Sequence, residues 1–166
     1  MSAVLNLEDL AAILPAKARL IGVDLGTKTI GLALSDVERR IATPLVTLAR
    51  AQFSKDAQAL SAQIHKFEAF ALIVGLPLNM DGGEGPRVQA TRAFARNFAR
   101  VDPTPVAFWD ERLSTAAVNR ALIANDVSRA RRAEVVDKMA AAYILQGALD
   151  RLARIARERR AADPPR

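Results

Sequence analysis

The sequence predicts an α/β domain built on a mixed five-stranded sheet, an antiparallel meander followed by parallel strands, with helices flanking it. Three observations carry that expectation. Two apolar strands, Leu20–Leu25 and Ile30–Leu34, are joined by the short turn Gly26-Thr27-Lys28-Thr29, as in a hairpin. Two later apolar runs, Ala71–Leu76 and Pro105–Trp109, lie between stretches of helical period, the pattern of parallel strands linked by helices. The final long segment carries Ala141, Ile144, Ala148, Leu152 and Ile155 at steps of three and four, a helix with one buried stripe.

Taken in order, residues 1–19 form an extension with a short helix, Asn6 its cap and Pro15 its stop. The hairpin around Asp24 opens the domain proper, 20–158. Ile41–Leu48 is a third strand, and its internal Pro44, which has no amide to donate, places it at a sheet edge. Phe53, Ala57, Leu60, Ile64 and Phe67 then recur at steps of four and three, which marks an amphipathic helix. After the strand Ala71–Leu76, the turn-rich loop 77–85 leads to Pro86, suited to a first helical position. The helix it starts turns Thr91, Phe94, Phe98 and Val101 inward and lines up Arg92, Arg96 and Arg100 on its other side. Ser114 and Ser128 are expected caps, the first for a helix running to about Asn125 and the second for the long last helix. Residues 159–166 form a basic tail.

The bulk numbers narrow the function. A chain of 166 residues, half of them apolar, has enough material for one buried core. Lys and Arg outnumber Asp and Glu by 24 to 18, so an anionic partner is favoured, and Arg forks onto phosphates better than Lys. Cys is absent, which excludes disulfides, zinc-thiolate sites and thiol nucleophiles. Neither a signal peptide nor an apolar run of membrane-spanning length is present, so a soluble cytoplasmic protein without membrane contact is expected.

Asp24 stands inside an apolar strand, where an ionised carboxylate must pair, neutralise or border a site. Two readings are open: a strand-end acid bonding the turn amides, or one member of a site whose Gly-Thr turn approaches phosphate. Counting back one turn along the last helix's stripe from Ala141 gives Asp137, a second acid on the core-facing side, with the alternative that it only offsets the helix dipole. Glu111 follows the strand ending at Trp109, on the edge of the sheet where ligands of open α/β folds collect. Three acids on one rim repel unless a cation joins them, and oxygen donors without Cys favour Mg²⁺ or Mn²⁺. Two such ions about 4 Å apart would activate water and stabilise the leaving oxygen of a phosphodiester.

Four blocks in order, Asp24–Ala33, Val74–Gly82, Asp110–Thr115 and Asp137–Gln146, resemble the YqgF family. That resemblance implies an RNase H-like fold related to the RuvC Holliday junction resolvases, and a metal-dependent nuclease acting on the 16S rRNA precursor in ribosome maturation or on branched DNA. It also implies that Asp24, Glu111 and Asp137 are the catalytic, metal-holding acids. The expected partners are structured RNA or branched DNA and the ribosome or its precursors. Whether the chain acts as a monomer or a homodimer is left open.

The remaining candidates have plainer readings beside the functional ones. Lys28 and Arg112 hold phosphate oxygens or pair with neighbouring acids, and Arg92 and Arg96 track a nucleic-acid backbone or form a solvated face. Asp36 and Asp81 read as turn residues, His65 as a surface residue and Trp109 as core. Asp110 ranks behind Glu111, since alternation along a continuing strand turns it to the other side. Two further functions compete with a nuclease. Asp24-Leu25-Gly26-Thr27 is similar to the first phosphate loop of actin-like ATPases, although one such lobe is all this chain has room for. A non-catalytic module that binds nucleic acid or ribosomes is the other.

Overall fold

The computed structural model describes residues 4–113, 129–163 and 165. Its elements are β1 (Val4–Leu5), α1 (Leu7–Ile13), β2 (Arg19–Leu25), β3 (Thr29–Ser35), β4 (Ala42–Ala49), α2 (Phe53–Phe67), β5 (Ala69–Leu76), α3 (Pro86–Val101), β6 (Val106–Asp110), a single 3-10 turn (Glu111–Leu113) and a last helix, α4 (Arg129–Ala162). The helix expected after Ser114 and the Ser128 cap lie outside the described residues.

The strands form one sheet in the order β1-β6-β5-β2-β3-β4. All five expected strands are present, β2, β3 and β4 as an antiparallel meander and β2, β5 and β6 parallel. A sixth, two residues long, joins the far edge, where Val4 and Leu5 pair with Val106 and Ala107. Two residues are too few to show a period in sequence, so this strand had no signal of its own. Pro44 does lie on an edge strand, beside a register irregularity opposite Leu32 and Ala33. Asn6 caps α1, its side chain accepting from the Asp9 amide at 2.7 Å. Pro86 stands at the start of α3.

Strand alternation divides the core into two layers. Ile21, Val23, Leu25, Ile30 and Leu32 face α2 and α3, packing with Leu60, Ile64, Phe94 and Phe98. Leu20, Ala33, Ile73 and Trp109 face α4, meeting Ala141, Ile144, Leu145, Ala148 and Leu149, and α1 adds Leu7 and Leu10 to this second layer. The predicted stripe of α4 is buried throughout, from Ala141 and Ile144 at 0% exposed to Leu152 at 6%.

Glycines set how closely α4 lies on the sheet. A Cβ on Gly31 would fall 2.1 Å from the Asp137 carbonyl oxygen, and one on Gly22 would fall 2.7 Å from the Ala141 carbonyl oxygen. Those carbonyls are one helical turn apart, so a turn of α4 crosses from β3 to β2 with backbone resting on backbone. Farther on, Ile144 covers Gly75 of β5, and Gly147 meets the ring of Trp109 on β6. The helix therefore packs on β2 to β6, reaching β4 through Gln146, whose Oε1 accepts from the Ala42 amide at 2.9 Å, with Asp137 near the end of β2 where Asp24 stands.

Candidate active site

Asp24 is the central acid. Leu20 and Gly22 of β2 face α4, and alternation by two puts Asp24 on that face, where it is only 4% exposed. Opposite it on β3 is Gly31, and one step beyond the Val23–Val74 pair on β5 is Gly75. The carboxylate thus lies between two strand positions without side chains.

Other acids approach above those two glycines. The 3-10 turn after β6 carries Glu111 back over β5, its Oε1 2.7 Å from where a Cβ on Gly75 would stand. The backbone of Asp137 rests on Gly31, and its carboxylate accepts a hydrogen bond from the Thr29 hydroxyl at the foot of β3. Asp24, Glu111 and Asp137, which sequence placed on three separate elements, are thereby brought to one rim on the α4 side. Among the described residues, no three His, Asp or Glu side chains are already gathered closely enough to hold a metal ion. The donors are nonetheless all carboxylate oxygens, and the glycines on each side of Asp24 let Asp137 and Glu111 approach its strand closely, so the residues fit a hard divalent cation in kind.

The cations of the rim are held to different degrees. Lys28 is exposed on the turn between β2 and β3. Arg112 forks onto Asp110, Nη2 to Oδ2 at 2.7 Å, and reaches the Met80 carbonyl in the loop after β5 at 3.4 Å. Arg92 donates to Glu84 and lies over the Phe108 ring, 5.3 Å from its centre, so it is committed within the protein. Arg96 and Arg100 are exposed on α3. Trp109 packs in the core, His65 is exposed, and Asp36 and Asp81 accept from turn amides, as their plainer readings held.

Asp110 ends β6 and turns to Arg112, which leaves Glu111 as the acid over the sheet. The side-chain hydrogen bonds of Arg112 lower the Asp110 pKa below its ordinary 3.8, burial opposes them, and the Arg112 amide and charge lower it further. A folded value below the unfolded one adds stability at pH above the unfolded value, and that stability is lost as pH falls through the folded value. Asp110→Asn is accordingly expected to be less stable than wild type in urea unfolding at pH 7. The gap should close at a pH well below the ordinary 3.8, once the folded Asp110 carboxyl is protonated and as neutral as the amide. A gap of equal size at both pH values would remove the Arg112 contact as its cause.

Sequence reasoning missed Thr29, Gly31 and Gly75. Their signal was available in part, because an isolated glycine within an apolar strand marks close approach by another backbone or group. What approached could be known only from the fold.

Sheet order, the crossing of α4 and the acids at its rim define the class: an RNase H-like domain of the kind found in resolvases. Thermus thermophilus RuvC in complex with Holliday junction substrate superposes with a TM-score of 0.52 at 14% identity, over 82% of this chain and 96% of that one. The yeast mitochondrial Holliday junction resolvase gives 0.51 at 14% identity, over 93% and 88%. The chain belongs to the RuvX family, described as Holliday junction resolvase, whose profile matches residues 18–151. A Methylocella silvestris protein named "Putative pre-16S rRNA nuclease" is 68% identical over 92% of this chain and 94% of its own length. Proteins of the same name from Beijerinckia indica and from Rhodopseudomonas palustris strain HaA2 are 64% and 61% identical, each over at least 90% of both chains.

Proposed function

We propose that this protein is a divalent-metal nuclease that hydrolyses phosphodiester bonds of the 16S rRNA precursor in the cytoplasm, with Asp24, Glu111 and Asp137 as its catalytic acids. The observation that carries the site is the register: Asp24 stands between Gly31 and Gly75, with Asp137 above the first and Glu111 above the second. The substrate reading rests on the name shared by relatives that are 61–68% identical over nearly the whole chain.

Asp24, Glu111 and Asp137 would hold Mg²⁺ or Mn²⁺, as one ion or two, and the metal would supply charge against the scissile phosphate and activation of water. The protein's own groups bind and orient. Lys28, at the turn beside Asp24, takes a phosphate oxygen as a point charge, and Arg112, its planar fork held in place by Asp110, presents its remaining donors to a neighbouring phosphate. Thr29 holds the Asp137 carboxylate at the rim until it is needed. Arg96 lies farther along α3 as a contact to the backbone of a longer substrate, where Arg92 adds less because Glu84 already occupies it.

A branched-DNA substrate is the second reading, favoured by the family description and by the fold shared with a junction-bound resolvase. Acids that act on phosphate do not distinguish bases, so substrate shape decides. The test is a parallel assay of precursor rRNA and a four-way DNA junction with Mg²⁺ or Mn²⁺. Cleavage of the RNA that stops with chelator and returns with added metal is expected. Cleavage of the junction alone would overturn the RNA assignment, and cleavage unaffected by chelator would overturn the metal assignment.

A further inference from the structure

On the face of the sheet opposite α4 lies a partly buried ion pair that none of the site residues uses. Arg50 follows β4, and its Nε donates to Asp56 Oδ2 at 2.9 Å. Asp56, in the first turns of α2, is 3% exposed, and its other oxygen accepts from the Ala51 amide at 2.9 Å. One carboxylate oxygen thus fixes the guanidinium and the other the backbone just after it. Phe94 fixes it further, its ring centre 5.8 Å from the Arg50 Cζ.

That guanidinium is aimed at the turn beside Asp24. Arg50 Nη1 donates to the Gly26 carbonyl at 2.6 Å, while the Arg50 amide donates to the Lys28 carbonyl at 2.9 Å. Gly26 in turn donates to the Thr29 carbonyl at 2.9 Å. Both ends of the turn are therefore held by one residue, and between them Thr27 and Lys28 are exposed. Thr27 makes no hydrogen bond among the described residues. A rigid turn with free polar tips is suited to meeting a phosphate without loss of order on binding.

We propose that Arg50, locked by Asp56, is a positioning residue for substrate phosphate: it fixes the Gly26–Lys28 turn from behind the sheet. The inference rests on the nuclease reading above and adds to it the element that orients Lys28. Asp24 is paired into the sheet through Gly31 and does not depend on the clamp. Loosening the turn should consequently weaken binding and spare the chemical step.

The test compares full-length wild type, Arg50→Lys and Asp56→Asn. Lys retains a cation for Asp56 but lacks the fork that reaches Gly26 as well. Exchange of the two bonded amides at the turn, those of Gly26 and Arg50, should quicken about tenfold in each variant, while exchange in β5 stays at the wild-type rate. On precursor RNA or junction, KM should rise about tenfold with kcat within about threefold. Unchanged exchange at the turn in a folded variant would overturn the clamp. A fall in kcat at constant KM would overturn its role toward phosphate. A wild type that cuts neither substrate would sink the nuclease reading, and the exchange measurement would still decide whether the clamp exists.

Discussion

Asp24→Asn is expected to lower kcat by at least about 10²–10³-fold, the loss typical when one preorganised charge-stabilising group is removed, and to leave the fold intact. The substitution preserves shape and replaces a buried charge with a neutral amide. Asn matches Asp in size and can still accept and donate hydrogen bonds at this buried position, so the variant should remain folded. Circular dichroism and melting of the variant beside its cleavage rate separate the two effects. Equal cleavage by a folded Asp24→Asn protein would remove this acid from the mechanism.

Gly31→Ala should produce the second large effect, by a different route. The added Cβ would stand 2.1 Å from the Asp137 carbonyl oxygen and 2.8 Å from the Lys138 amide nitrogen, both of them backbone. A helix backbone cannot turn aside as a side-chain tip can, so α4 must lift from β3. Overpacking of this kind costs about 1–3 kcal/mol, and the backbone contact argues for the upper end. For a chain of this length that lowers Tm by about 2–4 °C per kcal/mol, and Asp137 moves away from Asp24 with the helix. Gly75→Ala makes a useful contrast. Its Cβ would meet Glu111 Oε1 at 2.7 Å and the end of the Ile144 side chain at 2.5 Å, and both of these can shift. Its loss of activity should exceed what its smaller loss of stability explains. If Gly31→Ala melts and cleaves like wild type, the close approach of α4 to β3 is wrong.

Much of this arrangement was legible before any coordinates. Hydrophobic period located α2 and the α4 stripe, Pro44 located an edge strand, and Asp137 was found by counting one turn back from Ala141. These succeed because burial imposes its period on the chain locally. What stayed hidden depends on partners distant in sequence. Thr29 meets Asp137 across 108 positions, and Arg50 meets Gly26 across 24. Val4 and Leu5 become a strand only because the edge of β6 is there to pair with them. The rim acids fall between these cases. Their residue types and element ends were readable, whereas the glycines that let Asp137 and Glu111 come close beside Asp24 acquire meaning only from the strand order.

The proposed activity requires that Asp24, Glu111 and Asp137 together hold a divalent cation. Titration of the purified protein with Mn²⁺, following the signal of the free ion by electron paramagnetic resonance, tests it without any substrate. Wild type is predicted to remove free Mn²⁺ saturably, and Asp24→Asn and Glu111→Gln to weaken that binding by about tenfold or more, a loss of at least 1.4 kcal/mol. Folded variants that bind Mn²⁺ as tightly as wild type, or a wild type that binds none, would contradict the account.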